Sequence, residues 1–365
     1  MLNALTLHPT AFGLDISDLS LKIVFLKRQR KGFKLHVFGE FPIVPGVVER
    51  GEIKEQNVLA ETIKKAVESF GTKLSTKQVV ASLPEEQAFL QLMQLPRMKK
   101  QELEHAVRFE AENYVPHAIE KVYLDFQVVQ PFHSHIDHTD ILLAALPRTM
   151  VDPYLEALEH AGLTVKALEI ESLSISRALV LKETAATPLL LVDFGATRTS
   201  FVVFSGYSLR FTASIPVSSI QLTQNIARTL KITEEKAEEL KINFGLDRQD
   251  DVQGKMIFEA LVPPLSNLME QIKKHLSYYE SHTIHQHLGV NQQRIKRIII
   301  SGGGANLRGL TRFLSRELER EVILGNPWVN ILETSLKELP PLSFGESLKY
   351  TSALGLALRG AKPTA

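Results

Sequence analysis

Two acidic residues, Asp15 and Asp193, occupy the same place in a repeated pattern. Each ends an apolar run and precedes a short turn of small and hydroxyl residues, and a second apolar run follows. This arrangement is typical of a β-hairpin with a polar tip. Backbone N–H groups in such a turn bind phosphate oxygens, and a carboxylate holds hydrated Mg²⁺ beside them. The repeat predicts two half-proteins facing each other across a cleft, with one acidic tip each.

A glycine-rich turn is the third candidate element. The apolar run 298–300 leads into Gly302, Gly303 and Gly304, and an amphipathic pattern with Leu310 and Leu314 follows. A strand, a glycine turn and a helix in this order let the backbone approach a planar or anionic ligand closely. We expect this turn to border the same cleft.

Each of these residues also has a plainer interpretation. A single copy of the Asp15 pattern would be an ordinary turn, and it is the repetition that favours a site. Lys22, on the second strand of its hairpin, could reach a phosphate or could be a solvated strand end. Glu238 and Lys241, three positions apart, form a solvent-facing ion pair if nothing else holds them. Glu171 could equally be a helix N-terminal carboxylate favoured by the helix dipole.

The composition is that of a globular protein without a strong charge preference. The chain has 365 residues, 44% hydrophobic and 23% charged, with a net charge of +1 and no cysteine. This excludes thiolate chemistry and disulfides, and it gives no electrostatic footprint for nucleic acid. We find no signal peptide and no apolar window of spanning length, and residues 359–365 form a polar tail instead of an amphipathic anchor. We therefore expect a cytoplasmic location without direct membrane insertion.

Two histidine clusters suggest metal binding by composition alone. One contains His133, His135 and His138, and the other contains His282, His285 and His287. Neither has the carboxylate-bearing helical spacing of a catalytic zinc site, so we do not assign them a metal. Nucleophile-elbow, zincin and Walker motifs are absent from the sequence.

The order of strands and helices predicts a duplicated α/β architecture with an insertion. Residues 1–83 and 166–185 make the first lobe, which the small-residue helix 348–360 closes. Residues 84–165 make an inserted α+β subdomain, in which a charged helix lies over a small sheet through Leu103, Val107 and Phe109. Residues 186–347 make the second lobe. We expect the long helix of this lobe to begin after Pro263 and Pro264.

Two stretches carry a family resemblance. They are Leu95-Pro-Arg-Met-Lys-Lys-Gln-Glu-Leu-Glu-His-Ala-Val-Arg-Phe-Glu-Ala-Glu-Asn-Tyr-Val-Pro116 and Ala144-Ala-Leu-Pro-Arg-Thr-Met-Val-Asp-Pro-Tyr154. With the two hairpins and the glycine turn, they make nearly the whole chain resemble the PilM family of type IV pilus assembly proteins, relatives of the division protein FtsA. The resemblance implies the two-lobed actin-like fold of the ASKHA (RNase H-like) superfamily, with ATP and Mg²⁺ as ligands.

The resemblance also implies roles for individual positions. Asp15 and Asp193 would hold Mg²⁺ through water, Glu171 would be the catalytic-side glutamate, and Glu238 with Lys241 would bracket the ribose and base. The remaining nucleotide-binding positions are Ser17, Ser20 and Lys22 in the first phosphate motif, Gly195, Thr197 and Thr199 in the second, and Gly302, Gly303 and Gly304 in the adenosine motif.

The sequence departs from the family pattern at two places. Ser17 stands where the first phosphate motif usually has glycine, and Ser218 and Ser219 stand where a glycine pair is common. A Cβ at these positions crowds a phosphate, and phosphoryl transfer depends on precise positioning. We expect nucleotide binding to be retained and hydrolysis to be slow or absent.

The resemblance implies a cytoplasmic scaffold for assembly of a type IV pilus or a related secretion system. Its partner would be the N-terminal peptide of a PilN-like inner-membrane protein, gripped by the inserted subdomain, which keeps the chain peripheral to that membrane. PilO-like proteins and pilus motor ATPases would be reached only indirectly, and self-assembly stays open. The alternatives are an ASKHA-fold ATPase or kinase, for which no acceptor-side base is evident, and an FtsA-like filament-forming protein.

Overall fold

Both acidic patterns form antiparallel hairpins in the computed structural model, which describes residues 10–129, 138–247, 250–282, 294–332 and 340–362. Asp15 lies opposite Lys22 in the first hairpin, and Asp193 lies opposite Ser200 in the second. Each aspartate is the second-to-last residue of its strand. The two tips are therefore structurally equivalent, as the repeated pattern predicts.

The strands are numbered in chain order. They are β1 Phe12–Ile16, β2 Ser20–Arg28, β3 Phe33–Pro42, β4 Val48–Glu49, β5 Glu52–Ile53, β6 Gln78–Leu83, β7 Phe89–Pro96, β8 Val122–Val129, β9 His138–Pro147, β10 Thr164–Ile170, β11 Ala185–Phe194, β12 Thr199–Gly206, β13 Ser208–Ile215, β14 Arg297–Ser301 and β15 Glu321–Leu324.

The α-helices are numbered in the same way. They are α1 Gln56–Glu68, α2 Lys100–Tyr114, α3 Arg148–His160, α4 Glu171–Leu179, α5 Ser219–Leu230, α6 Glu234–Phe244, α7 Val252–His282, α8 Leu310–Leu318, α9 Phe344–Leu348 and α10 Thr351–Ala361.

Two five-stranded sheets have the same topology. The first has the order β10-β6-β1-β2-β3 and the second has the order β15-β14-β11-β12-β13. In each sheet three consecutive strands are antiparallel, a later strand pairs in parallel with the first of them, and a fifth strand pairs in parallel with that one. Because the parallel strands need long crossovers, most of the helices lie in these connections. This topology is the physical form of the duplication expected from the sequence.

Helices α4 and α10 form a layer between the two sheets. Helix α10 packs on β1, β2 and β6, α4 packs on β11, β12 and β13, and the two helices pack against each other. Ten of the eleven residues of α10 are buried, which is typical of a helix enclosed on all sides. Glycine permits this: a Cβ on Gly355 would lie 1.9 Å from the carbonyl oxygen of Ser174. The helix pair thus sets the distance between the sheets.

A third sheet, of order β7-β9-β8, lies in the segment 84–165. Helix α2 covers one of its faces through Leu103, Val107 and Ala111, whose four-residue spacing places them on one side of the helix. Phe109, which the sequence analysis grouped with the first two, lies on the opposite side and is 70% exposed. The other face of the sheet packs toward α4 and the second sheet.

Helix α3 differs from the sequence-based expectation. The segment 84–165 was expected to hold this helix within the inserted subdomain. In the structure Tyr154, Ala157 and Leu158 belong to the core of the first sheet, and α3 packs against α1. The reason is the apolar stripe of α3, which matches the face of the first sheet that α10 leaves open. Strand β10, directly after α3, is an edge strand of the same sheet.

Helix α7 begins earlier than predicted and continues through Pro263 and Pro264. Pro264 has no N–H for the carbonyl oxygen of Ala260, four residues before it. The side-chain amide of Asn225, on α5, donates to that oxygen instead. The helix therefore tolerates a proline pair that the sequence alone marks as a start. Despite its 31 residues, neither α7 nor any other described helix has the apolar length that crossing a membrane requires.

Replacing Gly355 by alanine should destabilise the protein by about 1–3 kcal/mol, the usual cost of overpacking a core. The added Cβ would force α10 away from Ser174 on α4. Urea unfolding followed by circular dichroism would show this as a lower midpoint. Gly303→Ala is the matched control, because the nearest atom to its Cβ would be 3.8 Å away, on Lys349. Equal midpoints for the two variants would contradict the close contact between the helices.

Candidate functional site

The two hairpin tips and the glycine turn enclose one cavity of about 180 Å³. Ten of the fourteen residues that the sequence analysis singled out line it: Asp15, Ser17, Ser20, Lys22, Glu171, Asp193, Gly195, Thr197, Gly302 and Gly303. They come from strands and turns of both halves of the chain, which the α4–α10 layer brings together. We call this cavity the interlobe cleft.

The two aspartates of the interlobe cleft are carboxylates of like charge, one buried and one partly buried. The pKa of Asp193 is raised to about 6, because burial and the nearby Asp15 together outweigh a hydrogen bond from Ser301 Oγ at 3.0 Å, which lowers it. Asp15 is 6% exposed and lies 3.8 Å from the ammonium of Lys22, measured from Oδ2 to Nζ. Two poorly solvated carboxylates that repel each other favour a divalent cation placed between them.

Lys22 is held in the cleft by its neighbours on the first sheet. Its Nζ donates to Ser20 Oγ at 2.9 Å and lies 3.9 Å from Glu40 Oε1. Glu40 also pairs with Lys349, at 2.6 Å between Oε2 and Nζ. Two lysines thus share one carboxylate along the wall of the cleft. This satisfies their charges within the protein and leaves both near the cavity, where they could meet an anion.

Glu171 lies at the start of α4, between the two aspartates and Arg198. Burial raises the pKa of its carboxyl well above the usual value, Arg198 lowers it, and Asp15 and other acids raise it again. The net effect is a raised pKa, with burial as its main cause. Glu171 lines the cleft, as its predicted role requires.

The backbone of the turns is partly used by the turns themselves. The amide of Ser17 donates to the carbonyl of Ser20 at 3.0 Å, and that of Gly195 donates to Arg198 at 2.9 Å. These two N–H groups close the hairpins and do not point at a phosphate. The turns therefore differ from the phosphate-binding turns that the sequence predicts. Ser219, at the start of α5, donates its amide to the carbonyl of Gly195 at 3.0 Å. The positive end of α5 therefore abuts the second tip.

The glycine turn is fixed by the second hairpin. Gly302 has φ of +84°, and a Cβ there would lie 2.5 Å from the carbonyl oxygen of Phe194. Its amide donates to the carbonyl of Leu348 at 3.0 Å. Gly304 faces the ring of Phe194, where its Cβ would be 2.6 Å from a ring carbon, and it does not line the cleft. Only the first two glycines therefore offer backbone to a ligand.

Three further predicted residues stand outside the cleft lining. Thr199 is fully buried and donates to the carbonyl of Val217 at 2.6 Å, so its hydroxyl holds the hairpin to the next loop. Lys241 pairs with Glu238 at 2.7 Å, and it is only 6% exposed. Its Nζ also donates to Ser219 Oγ at 3.0 Å and to Thr223 Oγ1 at 2.8 Å. Lys241 is therefore buried, whereas the side chain of Glu238 is 46% exposed, and neither residue lines the cleft. Ser219, which Lys241 contacts, is hydrogen-bonded in turn to Gly195 of the second tip.

Several cleft residues were missed by the sequence analysis. Lys349, Glu40 and Arg198 line the cleft, and Asp18 pairs with Arg198 from the first tip. Arg198 lies inside the recognised second motif, between Thr197 and Thr199, and its charge at a hairpin tip was an available signal. Glu40 and Lys349 are 309 positions apart, so nothing in the sequence connects them.

The residues of the cleft fit a magnesium–nucleotide complex. In the described ranges no three histidine, cysteine or acidic side chains are arranged to hold a metal on their own. Mg²⁺ usually binds one or two carboxylates together with phosphate oxygens and water, and Asp15 and Asp193 match that donor set. Lys22 and Lys349 would face the phosphates, and the backbone at Gly302 and Gly303 would face the adenosine. The cation would offset the negative charge of the two carboxylates.

The histidine clusters lie largely outside the described residues. Positions 133, 135, 285 and 287 fall in the gaps, and of His282 only the backbone is described. His138 begins β9, and its Nε2 lies 3.3 Å from Asp140 Oδ1. The structure therefore adds nothing to the metal hypothesis at either cluster.

A second cavity, of about 250 Å³, lies between the inserted sheet and the helices of the central layer. Strand β8 forms one rim, and within the described chain no strand pairs with its outer edge. Arg177 and Arg359 both pair with Glu169, whose side chain is fully buried. We call this cavity the subdomain groove. Its lining residues are Leu90, Asp125, Phe126, Gln127, Leu142, Ala144, Glu169, Leu173, Arg177 and Arg359.

Known structures share this architecture over nearly the whole length of the chain. The structure titled "PilM-PilN type IV pilus biogenesis complex" is 28% identical, covers 98% of this chain and 100% of the other, and has a TM-score of 0.78. MreB5 of Spiroplasma citri bound to ADP is 10% identical, covers 95% and 94% of the two chains, and has a TM-score of 0.55. The second likeness concerns the fold alone, which is actin-like.

Sequence comparisons give the same family relationship. The cell division protein FtsA of Borreliella burgdorferi is 24% identical over 216 residues, which are 56% of this chain and 50% of the relative. The chain thus spans about half the length of this curated relative. The family described as "Type IV pilus assembly protein PilM" matches residues 13–361. The chain therefore belongs to the PilM family and has an actin-like fold.

Proposed function

We propose that this PilM-family protein is a nucleotide-binding scaffold that holds the N-terminal peptide of a PilN-like inner-membrane protein during assembly of a type IV pilus or a related machine. The interlobe cleft carries the first half of the proposal, because it gathers Asp15, Asp193, Lys22 and the glycine turn from both halves of the chain. The protein is placed at the cytoplasmic side of the inner membrane through that partner.

The subdomain groove supports the second half of the proposal. An extended peptide binds a free strand edge through its backbone, and alternate side chains enter pockets beside it. Strand β8 offers such an edge, and Leu90, Leu142 and Leu173 offer an apolar floor. Arg177 and Arg359 share Glu169, and Asp125 also lines the groove, so its walls carry charged groups of both signs that could bind polar groups of the peptide.

We also propose that hydrolysis is slow. Ser17 carries its side chain into the cleft lining, where its hydroxyl donates to the carbonyl of Ser20 at 3.0 Å. The raised pKa of Glu171, caused mainly by burial, makes the ionised form of this carboxyl less favourable than that of an exposed glutamate. Both features leave binding groups in place while weakening the alignment of an attacking water. A scaffold that senses a nucleotide needs binding and not turnover.

Asp193→Asn should weaken binding of ATP with Mg²⁺ at least about tenfold, which is about 1.4 kcal/mol. The substitution removes one of the two carboxylates that would hold the cation. Isothermal titration calorimetry measures the dissociation constant directly. Asp152→Asn is the control, because that carboxylate accepts from Tyr123 on the distant inserted sheet. No heat with wild-type protein at millimolar nucleotide, or equal affinity in both variants, would refute the nucleotide site.

Steady-state turnover of ATP should fall far below the median enzyme rate of about 10 per second. The reason is the crowding at Ser17 and the raised pKa of Glu171, which disfavours the ionised form that would activate a water. Phosphate release by purified protein measures it, and the Asp193→Asn variant supplies the contaminant background. A rate near about 10 per second that the variant abolishes would show that the protein is an efficient ATPase.

Leu173→Glu should weaken binding of the PilN-like N-terminal peptide at least about tenfold, because it places a charge on the apolar floor of the subdomain groove. Fluorescence anisotropy with the labelled peptide measures the affinity. Leu181→Glu is the matched control, since Leu181 is 55% exposed and lies outside the groove.

Point variants are preferable to deletion of residues 84–165, because that deletion also removes α3 from the core of the first sheet. Unchanged affinity in Leu173→Glu, with circular dichroism like that of wild type, would place the peptide elsewhere. The neighbouring genes identify the peptide to be used.

A further inference from the structure

Arg198 joins three parts of the chain that are far apart in sequence. It lies at the tip of the second hairpin, and its Nη2 donates to Asp18 Oδ1, on the first tip, at 2.9 Å. Its Nη1 forms an ion pair with Glu86. Glu86 belongs to the short turn Glu85–Gln87, between β6 of the first sheet and β7 of the inserted sheet. One guanidinium thus connects both tips of the interlobe cleft to the root of the inserted sheet.

The two ion pairs of Arg198 differ in burial. The side chain of Arg198 is 11% exposed and that of Asp18 is 12% exposed, whereas that of Glu86 is 26% exposed. Burial alone would lower the pKa of the guanidinium, but Glu171, Glu86 and Asp18 raise it. Breaking a buried ion pair leaves an uncompensated charge and is costly, unlike the loss of a surface pair. Arg198 therefore holds Asp18 more firmly than Glu86.

Asp18 is itself anchored to the first lobe. Its Oδ1 also accepts from the amide of Gly51 at 3.0 Å, and the carbonyl of Gly51 accepts from the hydroxyl of Tyr154 at 2.8 Å. Tyr154 lies on α3, in the core of the first sheet. The Asp18 contact is thus fixed by the core, whereas Glu86 is carried by a three-residue turn and is the more easily released partner.

Arg198 also lines the interlobe cleft, where the phosphates of a nucleotide would lie. A phosphate oxygen is an acceptor of the same kind as a carboxylate oxygen, and it competes for the same guanidinium N–H groups. A phosphate in the cleft and Glu86 at the root of the inserted sheet would therefore bind the same guanidinium group, that of Arg198.

From this geometry we infer that Arg198 couples the two proposed binding sites: nucleotide phosphates in the interlobe cleft compete with Glu86 for Arg198, release the root of the inserted sheet and lower the affinity of the subdomain groove for its peptide. The inference rests on the proposed function. Strand β7 begins three residues after Glu86 and carries Leu90, which shares the apolar floor of the groove with Leu142 and Leu173. Fixing Glu86 therefore fixes the start of the strand that brings Leu90 to this floor.

Glu86→Gln tests the coupling directly. The substitution removes the ionic link to the inserted sheet, keeps Arg198 paired with Asp18, and touches neither cavity lining. The anisotropy assay measures the dissociation constant of the labelled peptide without nucleotide and with saturating magnesium and a non-hydrolysable ATP analogue. We expect the analogue to raise the constant at least about fivefold in wild type, the lower end of common allosteric couplings. In Glu86→Gln the ratio of the two constants should approach one.

Two further variants complete the test. Glu321→Gln removes an exposed ion pair with Arg297 at the far edge of the second sheet and should keep the wild-type ratio. In Arg198→Gln the ratio of the two dissociation constants should also approach one. The folding of this variant is checked by thermal unfolding, because the substitution leaves two carboxylates without their partner. If Arg198→Gln does not fold, Glu86→Gln alone decides.

The outcomes separate the inference from the proposed function. Absence of nucleotide binding or of peptide binding in wild type contradicts the proposed function, and the coupling falls with it. If wild type binds both ligands, three results contradict the coupling alone. The ATP analogue leaves the peptide dissociation constant of wild type unchanged, or it lowers that constant, or it raises the constant in Glu86→Gln as much as in wild type.

Discussion

The contact between α4 and α10 is the constraint on which the rest of the structure depends. The two helices approach until the backbone of one meets the position where a side chain of the other would begin, at Gly355 against Ser174. On the far side of α10, Gly13 of β1 leaves equally little room, since its Cβ would lie 2.5 Å from backbone atoms of the helix. The sheets are thereby held at a fixed spacing, and the hairpin tips that extend from them meet over one cavity.

The electrostatics of the cleft follow from that spacing. Acidic groups from both tips and from α4 are brought into a poorly solvated volume, where burial, and after it their mutual repulsion, raises the pKa values of Asp193 and Glu171. Arg198, Lys22 and Lys349 offset part of this charge. An excess of carboxylate over cation in such a volume costs stability, and a divalent cation or the removal of a carboxylate would relieve it. The same imbalance that makes the cleft a candidate site therefore also makes it a strained part of the fold.

Local patterns in the sequence were sufficient to predict most of the fold, because strands, turns and positions that require glycine are determined by neighbouring residues. The hairpins at Asp15 and Asp193, the turn at Gly302 and the apolar stripe of α2 could be predicted in this way. The start of α7 could not, since it depends on a hydrogen bond from Asn225 on another helix. The assignment of α3 failed for a similar reason: an apolar stripe does not tell which of two sheets it will cover.

The site residues that belong to repeated motifs could be predicted from the sequence. Those that form ion pairs with residues far away in the sequence could not. Lys22 and Asp15 could be paired from hairpin register, but the sharing of Glu40 between Lys22 and Lys349 requires the folded structure. The burial of Lys241 also depends on hydroxyls of α5 that lie 18 and 22 positions away. Tertiary charge networks leave no local trace, whereas turns do.

The duplicated hairpins are alike in backbone and different in charge. Opposite Asp15 the second strand carries Lys22, whereas opposite Asp193 it carries Ser200, which also lines the cleft. An elongated anion placed between the tips would meet the ammonium of Lys22 at one end and the guanidinium of Arg198, beside the hydroxyl of Ser200, at the other. A cleft built by exact duplication would accept such an anion in either direction. The different cations of the two tips give the cleft a polarity, so that the two ends of a bound molecule are no longer equivalent.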